Sequence, residues 1–260
     1  MLVGIALVLA GCGTERSTGV AQVHVHETSA IVHQAVHTAT FQIQRGRPFP
    51  QSMVRFISNS HMDVYLPILT PHLKSPGPPG DRLYAVANWS RGEYGVDFYW
   101  GSTKGPDFGN AYYGGSIGAA QRFPEKIKNQ AFGALSGFSS WKPFKMDGCL
   151  SAQRSTFQNA AGLNDAITWH QDGWTFIIAR QGTGTAAGTA LEIERYAYVH
   201  KGIIPNCRSG WMIAEWFAPG PPFYIVAAKL HGEWYMVSLD SLSMTLETPR
   251  TLTKQGVAPF

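Results

Sequence analysis

Three stretches of the chain carry β-branched and aromatic residues on both sides of a short polar turn that contains glycine. Residues 84–89 run through Ser90, Arg91, Gly92 and Glu93 into 94–100. Residues 166–169 run through His170, Gln171, Asp172 and Gly173 into 174–178. Residues 223–230 run through His231, Gly232 and Glu233 into 234–239. Each pattern predicts a β-hairpin, and Asp172-Gly173 is the strongest single turn signal. Tyr94, Trp174 and Trp234 follow the three turns, where an aromatic ring can cover the neighbouring strand. The three turn glycines are 81 and then 59 residues apart, an irregular spacing that argues against a propeller or solenoid.

Helical patterns are fewer. Pro124 and Glu125 suit a helix start, and Ile127, Ala131, Ala134 and Leu135 form a stripe that ends before Gly137. A second helix is predicted over 187–201, with Gly202 as its C-cap and Lys201 complementing the dipole. A third is predicted over 151–161. The expected fold class is therefore α+β: antiparallel hairpins forming one or two sheets, packed with two or three helices. Five prolines between Pro67 and Gly80, and the Gly-rich run 101–118, are read as long connections.

Composition narrows the class further. At 260 residues with 44% hydrophobic and 15% charged positions, the chain can fill a core and is neither fibrous nor a coiled coil. The net charge of +4 is scattered, which argues against nucleic acid as a partner, since phosphate tracking needs a basic stripe.

The first ten residues are uncharged and apolar, too short to span a bilayer core that needs roughly 20 residues. They lead into Leu9-Ala10-Gly11-Cys12, which resembles the lipobox of bacterial lipoproteins, although no positively charged n-region precedes it. The resemblance implies cleavage before Cys12, a diacylglycerol thioether on that cysteine, and anchoring at the extracytoplasmic face of the cell membrane. Membrane lipid is then one partner; an envelope protein or glycan is the other expected class. The organisation expected is a signal peptide (1–11), a lipidated cysteine with a partly ordered tether (12–50), an α+β domain (51–245) and a C-terminal tail (246–260). Whether the domain splits into two subdomains near 140–160 is open. The W-x-x-x-G-W of Trp169 to Trp174 and the Y-x-V strands at Tyr224 and Tyr235 loosely resemble small domains of uncharacterised Gram-positive lipoproteins, a likeness that transfers no catalytic residue. In an oxidising compartment Cys149 and Cys207 can pair, closing a loop of about 57 residues.

Candidate chemistry is dispersed. His24, His26, His33 and His37, with Glu27, have spacings that suit Zn²⁺ or Cu²⁺ on a strand or helix, or else occupy a polar tether. Glu215 beside Trp216 and Glu233 beside Trp234 are candidate acids, with His170, His200 and His231 as possible companions. Tyr112, Tyr113, Trp216 and Phe217 adjoin Gly/Pro loops and are candidates for an exposed aromatic platform. Ser139 to Lys142 is a bare S-x-x-K without companion motifs, and 182–188 lacks both the P-loop lysine and dinucleotide spacing, so no cofactor is expected. The reading is a noncatalytic binding or interaction module at the envelope, with an envelope hydrolase as the alternative. Polar groups converging in a deep cleft would favour the hydrolase; a shallow aromatic patch would favour the module.

Mass spectrometry of the native protein should find lipid on an N-terminal Cys12, and Cys12→Ala should release a folded protein from membranes. An unlipidated chain that retains Met1 would refute the anchor.

Overall fold

The computed structural model describes residues 35–75, 79–109, 113–146, 152–182, 184–204, 207, 209–217 and 222–255, all within one compact unit, Gln34–Phe260. In chain order the elements are β1 (His37–Ile43), α1 (Gln51–Ser58), β2 (Tyr65–Pro67), β3 (Arg82–Ser90), β4 (Glu93–Ser102), β5 (Gly105–Pro106), β6 (Tyr113–Ala120), α2 (Glu125–Ala134), β7 (Lys142–Phe144), β8 (Ala152–Asn159) and β9 (Gly162–Gln171). β10 (Trp174–Gln181), α3 (Ala187–Val199), β11 (Gly210–Phe217), β12 (Phe223–Leu230), β13 (Glu233–Leu239), α4 (Leu242–Glu247) and β14 (Leu252–Lys254) follow. The expected α+β class is what folds.

Twelve strands make one sheet in the order β1-β3-β4-β6-β13-β12-β11-β10-β9-β8-β7, with β5 on the end of β4, while β2 and β14 pair separately. All three predicted hairpins are present: β3–β4, β9–β10 and β12–β13. In the last two the turn residues are Asp172-Gly173 and His231-Gly232, all four at positive φ, the backbone that matches the twist of paired strands. Three antiparallel meanders, β3-β4-β6, β8-β9-β10 and β11-β12-β13, are each followed by a helix. The neighbours β10 and β11 run parallel, and the connection between them carries α3.

The helices divide unevenly between the two faces. Val226 opposes Val237 and Ala227 opposes Met236 across β12–β13, so each pair shares a face. The Val226/Val237 face carries α1 over β1, β3, β4, β6 and β13, and α3 with α4 over β9 to β12. The Ala227/Met236 face carries α2, whose Ile127, Ala131 and Ala134 pack on β9 to β13.

Several boundaries differ from the sequence reading. Residues 37–43, assigned to the tether, form the edge strand β1, because Ile43 is buried and Phe41 packs against Phe56 of α1, 5.9 Å between centroids. The helix α1 was not anticipated; its two turns follow Pro50 and bury Met53, Val54 and Ile57, a stripe that contributes roughly 1.5–3 kcal/mol per side chain. Residues 248–254, assigned to the tail, form a 3₁₀ turn and β14, which pairs with β2. The helix predicted over 151–161 is strand β8 from Ala152 onward, where a ladder of seven residue pairs with β9 outweighs local propensity. The predicted 187–201 helix ends two residues early. Gly202 N–H reaches Ala197 O (2.7 Å) and Lys201 N–H reaches Tyr198 O (3.3 Å), so Lys201, not Gly202, holds the left-handed cap position.

The β8–β9 ladder also creates a buried ion pair. Arg154 donates to both carboxylate oxygens of the fully buried Asp165, Nε to Oδ1 at 2.8 Å and Nη2 to Oδ2 at 2.9 Å. The Ala186 amide at the start of α3 donates to the same Oδ2 at 2.6 Å. Asp165 thus ties the edge meander to the crossover helix. Arg154→Met should cost about 3 kcal/mol in urea unfolding at pH 7, because it leaves a buried carboxylate short of its counter-ion; a loss below about 1 kcal/mol would show the pair to be dispensable.

Candidate functional site

Over β3, β4 and β6 the α2 face has no packed helix among the described residues, and a cleft of about 340 Å³ lies there. Strand alternation makes it. Tyr94, Val96, Phe98 and Trp100 of β4 enter the core on one side, which turns Glu93, Gly95 and Asp97 to the other. Asn88 of β3 stands opposite Gly95, and Ser116 and Gly118 of β6 stand opposite Asp97 and Gly95. The two glycines form the floor. A Cβ on Gly118 would lie 2.7 Å from the Tyr94 carbonyl oxygen, and one on Gly95 would lie 2.8 Å from Asn88 Oδ1. The Asn88 carboxamide therefore fills the space over Gly95, and Gly118 is buried against the β4 backbone.

The first turn of α2 is the wall. Ile127 is buried, Glu125 pairs with Lys128 (2.7 Å), and Glu125 and Lys126 both line the cleft. Trp234 lines the far side, its ring held edge-on by Phe123 at 4.6 Å. Burial pushes the Asp97 carboxyl above its ordinary range, partly offset by Lys126; burial also lowers the Lys126 ammonium, partly offset by Asp97 and Glu93. The two attract each other across the cleft, yet the direct ion pairs among the described residues are elsewhere, at Lys128–Glu125, Arg154–Asp165 and Lys254–Asp63. Asn88 Nδ2 donates to Asp97 Oδ2 at 3.4 Å and fixes the carboxylate from one side. Tyr99 and Tyr113, 5.4 Å apart, continue the same strands beyond Asp97.

The residues singled out from the sequence do not converge here. Glu215 is buried beneath α2, where Gln130 Nε2 donates to its Oε2 and its Oε1 has no partner. Glu233 and His231 lie at the β12–β13 turn: Tyr235 OH donates to Glu233 at 2.7 Å, and His231 stacks on Tyr65 at 5.4 Å. His170 is exposed on β9 beside Thr175 (3.1 Å), and His200 caps α3 against Tyr196 (4.3 Å). His37 stacks on Trp89 at 4.2 Å; His24, His26 and His33 lie outside the described residues, as do Cys12, Cys149 and Tyr112. Among the described residues no group of three or more His, Cys, Asp or Glu side chains is gathered for a metal. Trp216 is not an open platform, for Arg180 covers its ring at 4.7 Å and Tyr224 meets it edge-on at 5.1 Å. Phe217 ends β11. Cys207 is a half-buried thiol near the Ser209 carbonyl oxygen (3.2 Å), raised in pKa by burial. No described helix is long and apolar enough to cross a membrane.

Asp97, Glu93, Asn88 and Lys126 escaped the sequence reading, although one signal was present. Gly95 and Asp97 belong to residue types depleted in strand interiors, and both sit in the middle of β4. Comparison with protein-family models, curated proteins and solved structures found no match for the chain.

Glu215 sets a pH dependence of its own. Burial pushes its carboxyl up to about 7 from the ordinary 4.5, with Gln130 opposing the shift. The native state therefore holds a proton that the unfolded chain releases, and stability falls as pH rises from about 4.5 to about 7. Glu215→Gln should remove this loss: in urea melts at pH 4.5 and 8, the variant should gain on the wild type by roughly 1–3 kcal/mol at the higher pH. Parallel pH profiles for the two proteins would refute the assignment.

Proposed function

We propose that the protein is a lipid-anchored, noncatalytic binding module on the extracytoplasmic side of the membrane, held through an acylated Cys12, and that its cleft receives an envelope glycan. The observation that carries the ligand reading is the cleft itself. Over a floor that Gly95 and Gly118 keep free of side chains of their own, Asn88, Glu93, Asp97 and Ser116 supply polar groups, Lys126 lines the wall, and Trp234 offers an aromatic surface. Flat aromatic surface beside a few placed polar groups suits a sugar ring, whose one face is apolar and whose rim is hydroxylated. The anchor and the compartment rest on the Leu9-Ala10-Gly11-Cys12 box, and a Cys149–Cys207 disulfide belongs to the same proposal.

Binding is favoured over hydrolysis by the spacing of the acids. Glu93 and Asp97 are four residues apart on one strand, which puts their Cα atoms about 13 Å apart, wider than the ~5–9.5 Å between the carboxyls of glycosidase pairs. Glu215 under α2, Glu233 with His231 at the β12–β13 turn, and His170 on β9 stand on separate parts of the sheet.

The test is co-sedimentation of the mature protein with purified cell-wall glycan. Wild type should pellet with the polymer. Asn88→Ala combined with Trp234→Ala, checked for folding by circular dichroism, should weaken binding roughly tenfold or more, equivalent to about 1.4 kcal/mol. Equal retention of both proteins, or none of the wild type, would overturn the assignment.

A further inference from the structure

The cleft has a marked imbalance of hydrogen-bonding character. Asp97 and Glu93 are acceptors when ionised, and Asn88 gives one of its two amide N–H groups to Asp97 while its Oδ1 lies above Gly95 as another acceptor. Glu93 takes a hydrogen bond from Ser90 at 3.0 Å, which holds it at the mouth and leaves acceptor capacity unused. Against these stands a single cation, Lys126, which feels both carboxylates and is bound directly to neither among the described contacts. An acceptor-rich cleft is complementary to a donor-rich ligand. Its own lysine occupies, by charge, the role that a ligand cation would take.

Resting on the glycan reading, we infer that the cleft selects sugars bearing free primary ammonium groups, amino sugars without their N-acetyl groups, with one ammonium at Asp97, where it supplants Lys126, and a neighbouring ring of the same oligomer against Trp234. The register supports a ligand of that breadth. Glu93 and Trp234 both pair with Ala120, so one strand carrying only a methyl group separates acid from indole, and two strand spacings, about 10 Å, lie between their backbones. N-acetylation would remove the charge and two of the three ammonium donors, and would leave the half-buried Asp97 with the Asn88 amide alone. In this arrangement Lys126 is a competitor of the ligand rather than a contact to it.

The experiment titrates the mature protein at pH 6.5 with a glucosamine tetramer and an N-acetylglucosamine tetramer, followed by calorimetry and the indole ¹⁵N resonances. Wild type should prefer the free amine by roughly tenfold or more. Asp97→Asn should abolish that preference, with its melting temperature reported alongside, and Lys126→Met should tighten binding of the glucosamine tetramer. Equal or stronger binding of the acetylated tetramer, or weaker binding after Lys126→Met, would overturn the ammonium assignment while leaving glycan binding intact. Failure of both tetramers alongside retained co-sedimentation would also sink this inference alone. Failure of both together with loss of co-sedimentation would sink the glycan reading as well.

Discussion

A sheet of eleven consecutive strands has two long faces, and among the described residues four α-helices are available to cover them. Three of the four, α1, α3 and α4, go to one face, where they close two adjoining apolar clusters. The remaining helix, α2, covers the middle of the other face and stops. Everything distinctive about the molecule follows from that uneven cover. Where α2 lies, the strands send Ala, Ile and Met toward it, and one carboxyl, Glu215, is trapped beneath. Where it does not reach, the same strand positions are Asn, Asp, Ser and Gly, because an open sheet face must satisfy water rather than a helix. The cleft is the border between these two regimes, and α2 supplies its wall because the helix begins there.

Much of the fold was legible because hairpins are local. A two-residue turn such as Asp172-Gly173 places positive φ, a glycine and flanking β-branched residues within ten positions, so nothing distant is needed to recognise it. The helix α3 was legible for the same reason. What escaped was decided at long range. β8 is polar and carries no strong strand signal; it is a strand because β9 offers a ladder and because Arg154 must face Asp165. β1 and β14 lie far in sequence from the partners that define them, β3 and β2. α1 is short enough that its three buried residues look like any apolar scatter until the sheet beneath them is known.

The site was less legible than the fold, and the reason is physical. Aromatic neighbours and carboxylates near tryptophan drew attention to Glu215 and Trp216, but adjacency along a strand puts side chains on opposite faces. Glu215 accordingly goes under α2 while Trp216 goes to the other cluster. The residues that do meet come from β3, β4, β6, α2 and β13, whose spacing in sequence has no periodicity to betray them. Only Gly95 and Asp97 were locally out of place, and a glycine and an acid inside a strand announce a break in packing without saying what fills it.

Asp97 and Lys126 also bear on stability. Opposite charges that share a partly buried space ordinarily gain by closing into a direct pair, since the cost of desolvation has already been met in part. Here that closure is not made. Asn88 holds the carboxylate from the β3 side, Ile127 and the β-sheet contacts of α2 fix the backbone from which Lys126 extends, and the glycine floor offers neither charge another partner. The fold thus leaves the half-buried Asp97 carboxylate, at some desolvation cost, without a direct ion pair to the exposed Lys126. Stability left unclaimed in this way is the usual mark of a site arranged for something other than the protein itself, because a third group that satisfies Asp97 recovers part of the cost on binding. The same logic distinguishes this cleft from Asp165, whose carboxylate is saturated by Arg154 and the Ala186 amide and has nothing further to offer a ligand.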